Sequence, residues 1–133
     1  MRVGACLLQR KISGSKLGST VKRDVLKHSQ TASKARSVRD LEVNLQGKTL
    51  GDEGLEIACD GLCQGLRTGL LRLDELHLAE NKISAGGLKH LSPVIALASG
   101  DLRDLDLRAN CLAVVSQEDA DNWELFLRSF KDV

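Results

Sequence analysis

The sequence predicts an α/β fold: a stack of strand–turn–helix units with parallel strands, closed at its C-terminal side by a helix. Three observations carry this expectation. The run Leu73-x-x-Leu76-x-Leu78-x-x-Asn81-x-Ile83 returns 29 residues later as Leu102-x-x-Leu105-x-Leu107-x-x-Asn110-x-Leu112. A period of that length marks a unit that hides its apolar edge against the next copy of itself. Leucine supplies 24 of the 133 residues, and only Leu7, Leu8, Leu17 and Leu26 precede Asp40. Rings are nearly absent, since Trp123, Phe126 and Phe130 are the whole aromatic complement, so leucine has to fill the core.

The chain divides by charge. Residues 1–39 carry ten Lys/Arg against one acid and residues 40–133 carry nine against seventeen, so the net charge of +1 conceals halves of +9 and −8. The first part is expected to be a basic N-terminal leader, disordered or partly helical, because its apolar content is low. Leu8, Ile12, Leu17, Val21, Val25 and Leu26 stand at loose helical spacing broken by Gly14 and Gly18, which predicts helix over Ser19–His28, placed to cover the first unit. No uncharged stretch exceeds Leu91–Gly100, about half of the ~20 residues a bilayer span needs. Val3–Leu8 is too short for a signal peptide's apolar region and is followed by Arg10 and Lys11. The expected location is cytoplasmic; the Ser- and Lys/Arg-containing leader keeps nuclear and mitochondrial destinations open. Cys6, Cys59, Cys63 and Cys111 are too sparse for a disulfide scaffold and read as reduced, Cys59 and Cys63 as buried small side chains.

From residue 40 to 133 the units follow in order. Asp40–Leu50 is the first copy, with Val43, Leu45 and Leu50 in place of Leu76, Leu78 and Ile83, and Lys48 where the later copies have asparagine. Its step to the second copy is 33 residues, which predicts a loop insertion of about four residues near Gly65–Leu70. The alternations Val43/Leu45, Leu76/Leu78 and Leu105/Leu107 predict short strands with one buried face. Leu55, Ala58 and Leu62, then Leu88, Leu91 and Ile95, switch to the three-and-four spacing of helices. Ser84 is the expected N-cap of the second of these, Pro93 should kink or divide it, and Ser92 would restart it. Asn81 and Asn110 sit where a strand turns into its loop, positioned to pair backbone groups left exposed there.

The pattern Leu73-x-x-Leu76-x-Leu78-x-x-Asn81-x-Ile83-x-x-x-Gly87-x-x-x-Leu91-x-x-x-Ile95 resembles the leucine-rich repeat of the ribonuclease-inhibitor-like subtype. The resemblance covers about residues 40–112, with one full copy and two partial ones. It implies a short curved solenoid of about three units, parallel strands on the concave side and helices on the convex side, used for protein binding in the cytosol or nucleus. It also implies, as candidate settings, regulators of small GTPases and sensor regions of immune-type receptors.

The third copy departs from the pattern, with Ser116 in place of Gly87, and Ser116-Gln117-Glu118-Asp119 predicts a new helix with an acidic first turn. Trp123, Phe126, Leu127 and Phe130 form one apolar stripe on it, a C-terminal cap over the last unit. Side chains between the buried leucines then make three exposed rows: Glu42, Glu75 and Asp104; Asn44, His77 and Asp106; Gln46, Ala79 and Arg108.

These rows predict a non-enzymatic interaction module that binds a protein, a basic one by charge complementarity, through Glu42, Asn44, Glu75, His77, Asp104, Asp106 and Arg108. No catalytic residue is expected, because His28, His77 and His90 lack a nucleophile in any recognisable motif. No metal site is expected either, since strand alternation does not build a cage of oxygens and Cys59 with Cys63 is half a zinc site. No phosphate loop or dinucleotide fingerprint is present, and no cofactor is expected. The alternative reading assigns function to the leader, as a targeting or nucleic-acid-binding segment; it lacks rings for base stacking, so only nonspecific phosphate contact would follow. Oligomers would form through the open ends of the stack. The sequence leaves open whether the chain belongs to a longer repeat array.

Overall fold

The computed structural model describes residues 2–3 and 13–130; Cys6, Leu8 and Ile12 lie outside them. It is an α/β fold with the order β1 (Arg2–Val3), α1 (Gly14–Ala35), β2 (Arg39–Asn44), α2 (Gly51–Arg67), β3 (Leu71–His77), α3 (Leu88–Ala98), β4 (Asp104–Asp106) and α4 (Gln117–Arg128). The strands form one parallel sheet in sequence order, β1-β2-β3-β4, of which β1 is a two-residue edge. Each helix packs chiefly on the next, α1 on α2, α2 on α3 and α3 on α4. No helix among the described residues is long and apolar enough to cross a membrane.

The alternation read from the sequence sets the register. Val43 pairs with Leu76 and Leu76 with Leu105, and Leu41, Val43, Leu45, Leu73, Leu76 and Leu78 are all buried against the helices. The ladder runs past the strand ends, with Leu45 N–H on the His77 carbonyl, Gly47 N–H on Ala79, Leu78 N–H on Asp106 and Glu80 N–H on Arg108. One irregularity lies between Leu41 and Glu42, where β3 carries Asp74 as an extra residue.

At the turn after each strand the backbone repeats as well. Gly47, Glu80 and Ala109 occupy one motif position and all have left-handed φ, at 67°, 59° and 57°. Thr49 and Lys82 share a second such position, both at 57°. Only the first of these five is glycine, so the other turns hold strained side chains that something nearby must fix. Asparagine does so: Asn81 Oδ1 accepts from the Lys48 and Leu50 N–H groups, and its Nδ2 donates to the carbonyls of Leu45 and Ala79. Asn110 repeats the arrangement one unit on, accepting from Asn81 N–H and Ile83 N–H and donating to Leu78 and Leu107.

Several expectations change. The helix expected over Ser19–His28 runs from Gly14 to Ala35, capped by Ser13, whose hydroxyl accepts from Lys16 N–H. Gly14 and Gly18 do not break it. They let α1 approach α2 backbone to backbone, since a Cβ on Gly18 would stand 2.3 Å from the Gly54 carbonyl oxygen. The expected insertion near Gly65–Leu70 is not a loop: α2 has 17 residues against 11 in α3, so extra chain is taken up as helix. Pro93 does not divide α3; it stands on the exposed face of the helix, and Ser92 Oγ donates back to the Leu88 carbonyl. Ser84 makes no cap bond to its own helix; its N–H and hydroxyl both turn to the carboxylate of Asp52 at the start of α2. Cys59 and Cys63 are buried as expected, and burial pushes both thiols up, away from thiolate character. Cys111 is exposed, because no further described unit covers it.

Candidate functional site

The face of the sheet away from the helices carries the side chains between the buried leucines. Register pairs Glu42 with Glu75 and Glu75 with Asp104, then Asn44 with His77 and His77 with Asp106. The first two predicted rows are therefore assembled side by side. The third is incomplete: Gln46 and Arg108 are exposed, but Ala79 is only 3% exposed, because the chain is already turning there and its carbonyl serves Gly47 N–H and Asn81 Nδ2.

Three acidic side chains on neighbouring strands repel one another, and His77 stands among them. Its Nε2 lies 4.0 Å from Glu75 Oε1 and 3.8 Å from Asp104 Oδ2. Asn44 turns back on its own loop, its Oδ1 accepting from Gln46 N–H. Arg108 folds onto Asp106, with Nε 3.0 Å from Oδ1 and Nη2 2.8 Å from Oδ2, and its N–H also donates to Oδ1. The Arg108 hydrogen bonds hold the Asp106 carboxyl at about 2, below its ordinary 3.8. Arg108 and Asp106 thus neutralise each other, and Glu42, Glu75 and Asp104 are the carboxylates of the first row.

Sequence reasoning missed a second ion-pair row. Asp74, the extra residue of β3, is held by Arg103 through two contacts, one of them Nη2 to Oδ2 at 2.6 Å, and Arg103 N–H donates to the Asp74 carbonyl. That pairing lowers the Asp74 pKa. Arg72 reaches Asp40 across β2 and β3, with Nε and Nη2 both 3.1 Å from Oδ1. The signal was present, since Asp74 and Arg103 occupy one motif position in successive copies with opposite charge.

Two sets of side chains bring ligand-type atoms within 4.8 Å of one another: Glu75, His77 and Asp104, and Glu42, Asp74 and Glu75. The first offers one imidazole and two carboxylates. Such a set suits a borderline divalent cation while filling only part of its coordination, and carboxylates crowd on exposed strands without an ion as well. His28 lies on α1 and His90 on α3, 4.0 Å from Glu56, neither of them in this group.

Because the folded-state pKa of Asp106 is depressed, its pairing stabilises the fold above the ordinary carboxylate range and is lost as pH falls through about 2. The Arg108→Ala variant is expected to return the Asp106 carboxyl toward 3.8, read by carbon-detected NMR titration. An unmoved midpoint would mean that Arg108 is not the cause.

Comparison of the chain with protein-family models, curated proteins and solved structures finds no match.

Proposed function

We propose that the chain is a short leucine-rich-repeat solenoid of the ribonuclease-inhibitor-like kind, acting as a non-enzymatic module that binds a basic protein on its strand face. The observation that supports this most is the in-register row Glu42, Glu75 and Asp104 on consecutive parallel strands. Such a row holds negative charges about 4.8 Å apart on a rigid support, within reach of the long side chains of a basic partner. Asn44 and His77 flank the row with hydrogen-bonding groups, and the Asp106–Arg108 pair borders it. Complementary charge of this kind raises the encounter rate and selects the partner more than it adds affinity.

A panel of Lys/Arg-rich and neutral peptides, measured by fluorescence anisotropy, tests the reading. Basic members should bind, weaken with salt, and lose roughly tenfold or more in affinity when Glu75→Gln and Asp104→Asn are combined. Equal binding of neutral peptides, or affinity untouched by the double variant, would overturn it.

A further inference from the structure

The two ends of the stack differ in what they offer. In the second copy Leu73, Leu76, Leu78 and Ile83 are at most 1% exposed, because the third copy covers them. Their counterparts Leu102, Leu105, Leu107 and Leu112 are only half-buried. Helix α4 covers part of this face, with Trp123, Phe126 and Phe130 stacked edge to face and Trp123 Nε1 donating to the Leu112 carbonyl. It leaves Leu127 61% exposed. Leu125, Arg128 and Ser129 border the groove against α3, so Leu127, about 150° or more from Arg128's neighbour Ser129 around a helix of 3.6 residues per turn, stands on the side turned away from α3. Asp121 and Glu124 are exposed on the same helix, Glu124 bridged to Arg128 and Asp121 accepting from Gln117 within it, and β4 is the last strand of the sheet.

The opposite end is basic. Gly14, Gly18 and Lys22 turn one face of α1 to α2. Lys16, Arg23, Lys27 and Lys34, spaced seven, four and seven apart and all exposed, line the opposite face. A long basic side chain suits an apolar, acidic neighbour, since its aliphatic stem covers hydrocarbon while its charged head reaches a carboxylate.

From this complementarity we infer that the chain associates head to tail with a second copy of itself, the basic face of α1 in one copy seated on the α4 end of the next. The stems of the α1 lysines lie over Leu127 and their ammonium groups meet the Glu124 carboxylate in place of its present partner Arg128, with Asp121 adding to the negative field of α4. The helix layer continues from α4 to the neighbour's α1, as it does from α1 to α2 within one chain. A contact of this kind joins two different surfaces and leaves one of each free, so it propagates. The alternative of two α4 ends meeting about a twofold axis would bring Asp121 and Glu124 against their own copies, like charge on like.

Sedimentation velocity on the full chain over a concentration series tests this. Wild type should grow from monomer through dimer to larger species with rising concentration, less so in high salt. The Arg23→Glu, Lys27→Glu variant and the Asp121→Lys, Glu124→Lys variant should each lose association by roughly tenfold or more. Mixed together, they should associate again, because each supplies the intact surface the other needs and the reversed charges on the two remaining surfaces are themselves opposite in sign. Circular dichroism checks that both variants are folded; if either is not, Lys34→Ala and Leu127→Ser, at exposed positions, take their place. A wild type that stays monomeric throughout overturns the inference. So does association that the α1 variant leaves unchanged, the result of a twofold contact between α4 ends, or a mixture that restores nothing.

Discussion

Replacing Asn81 with alanine is expected to remove about 3 kcal/mol of stability, more than any other single polar side chain among the described residues, because it strips partners from buried backbone. Asn81 is fully buried and makes four hydrogen bonds, at 3.1 Å from Lys48 N–H and Leu50 N–H, 2.6 Å to the Leu45 carbonyl and 3.1 Å to that of Ala79. It also sits between two left-handed residues, Glu80 and Lys82, so the same amide holds a turn that two side chains would otherwise leave. Asn110 makes the matching bonds but is half-buried, and water can replace part of what it gives. The Asn110→Ala variant should therefore lose about half as much. Urea denaturation of the two variants decides the point, and an equal loss would show that burial does not set the difference.

The second large effect is expected at Gly54. A Cβ there would stand 2.2 Å from the Gly14 carbonyl oxygen and 2.9 Å from Leu50 Cδ1. Neither the backbone oxygen nor its helix can yield without separating α1 from α2. Gly54→Ala should cost about 3 kcal/mol, the upper part of the range for overpacking, although alanine is the better helix former. Gly86 supplies the control, since its Cβ would meet nothing closer than Ser84 Oγ at 3.4 Å, and Gly86→Ala should stay within about 0.5 kcal/mol of wild type. Thermal unfolding read by circular dichroism compares them. Similar melting for the two would mean that α1 and α2 do not need the close approach.

The strands and the rows on them were legible because both depend on the two-residue period, which the sequence states directly at Val43/Leu45, Leu76/Leu78 and Leu105/Leu107. The α4 helix was legible from its start, where Ser116 Oγ accepts from Asp119 N–H as the Ser-x-x-Asp spacing suggested. What escaped depends on contacts between segments. Gly14 and Gly18 look like helix breakers until the glycine opposite, Gly54, is seen to share their contact; local propensity lost there to tertiary packing. Pro93 looks like a break until its solvent-facing position is known. The side chain of Ala79 was assigned outward by alternation, and alternation fails once a strand becomes a turn. In the candidate site, neighbours in a row could be predicted from register, but not the folding of Arg108 onto Asp106, which takes that cation out of the net charge of the face.

The order of the sheet, β1-β2-β3-β4, has a consequence for how the molecule is made. Among the described residues the principal contacts join neighbouring units in chain order, and no early segment waits for a strand formed late. The α1–α2 layer can set while α4 is still being translated, each new strand finding a finished edge to add to, with short loop closures throughout. Apolar surface on the nascent polypeptide is thus limited at any moment to the most recent segment.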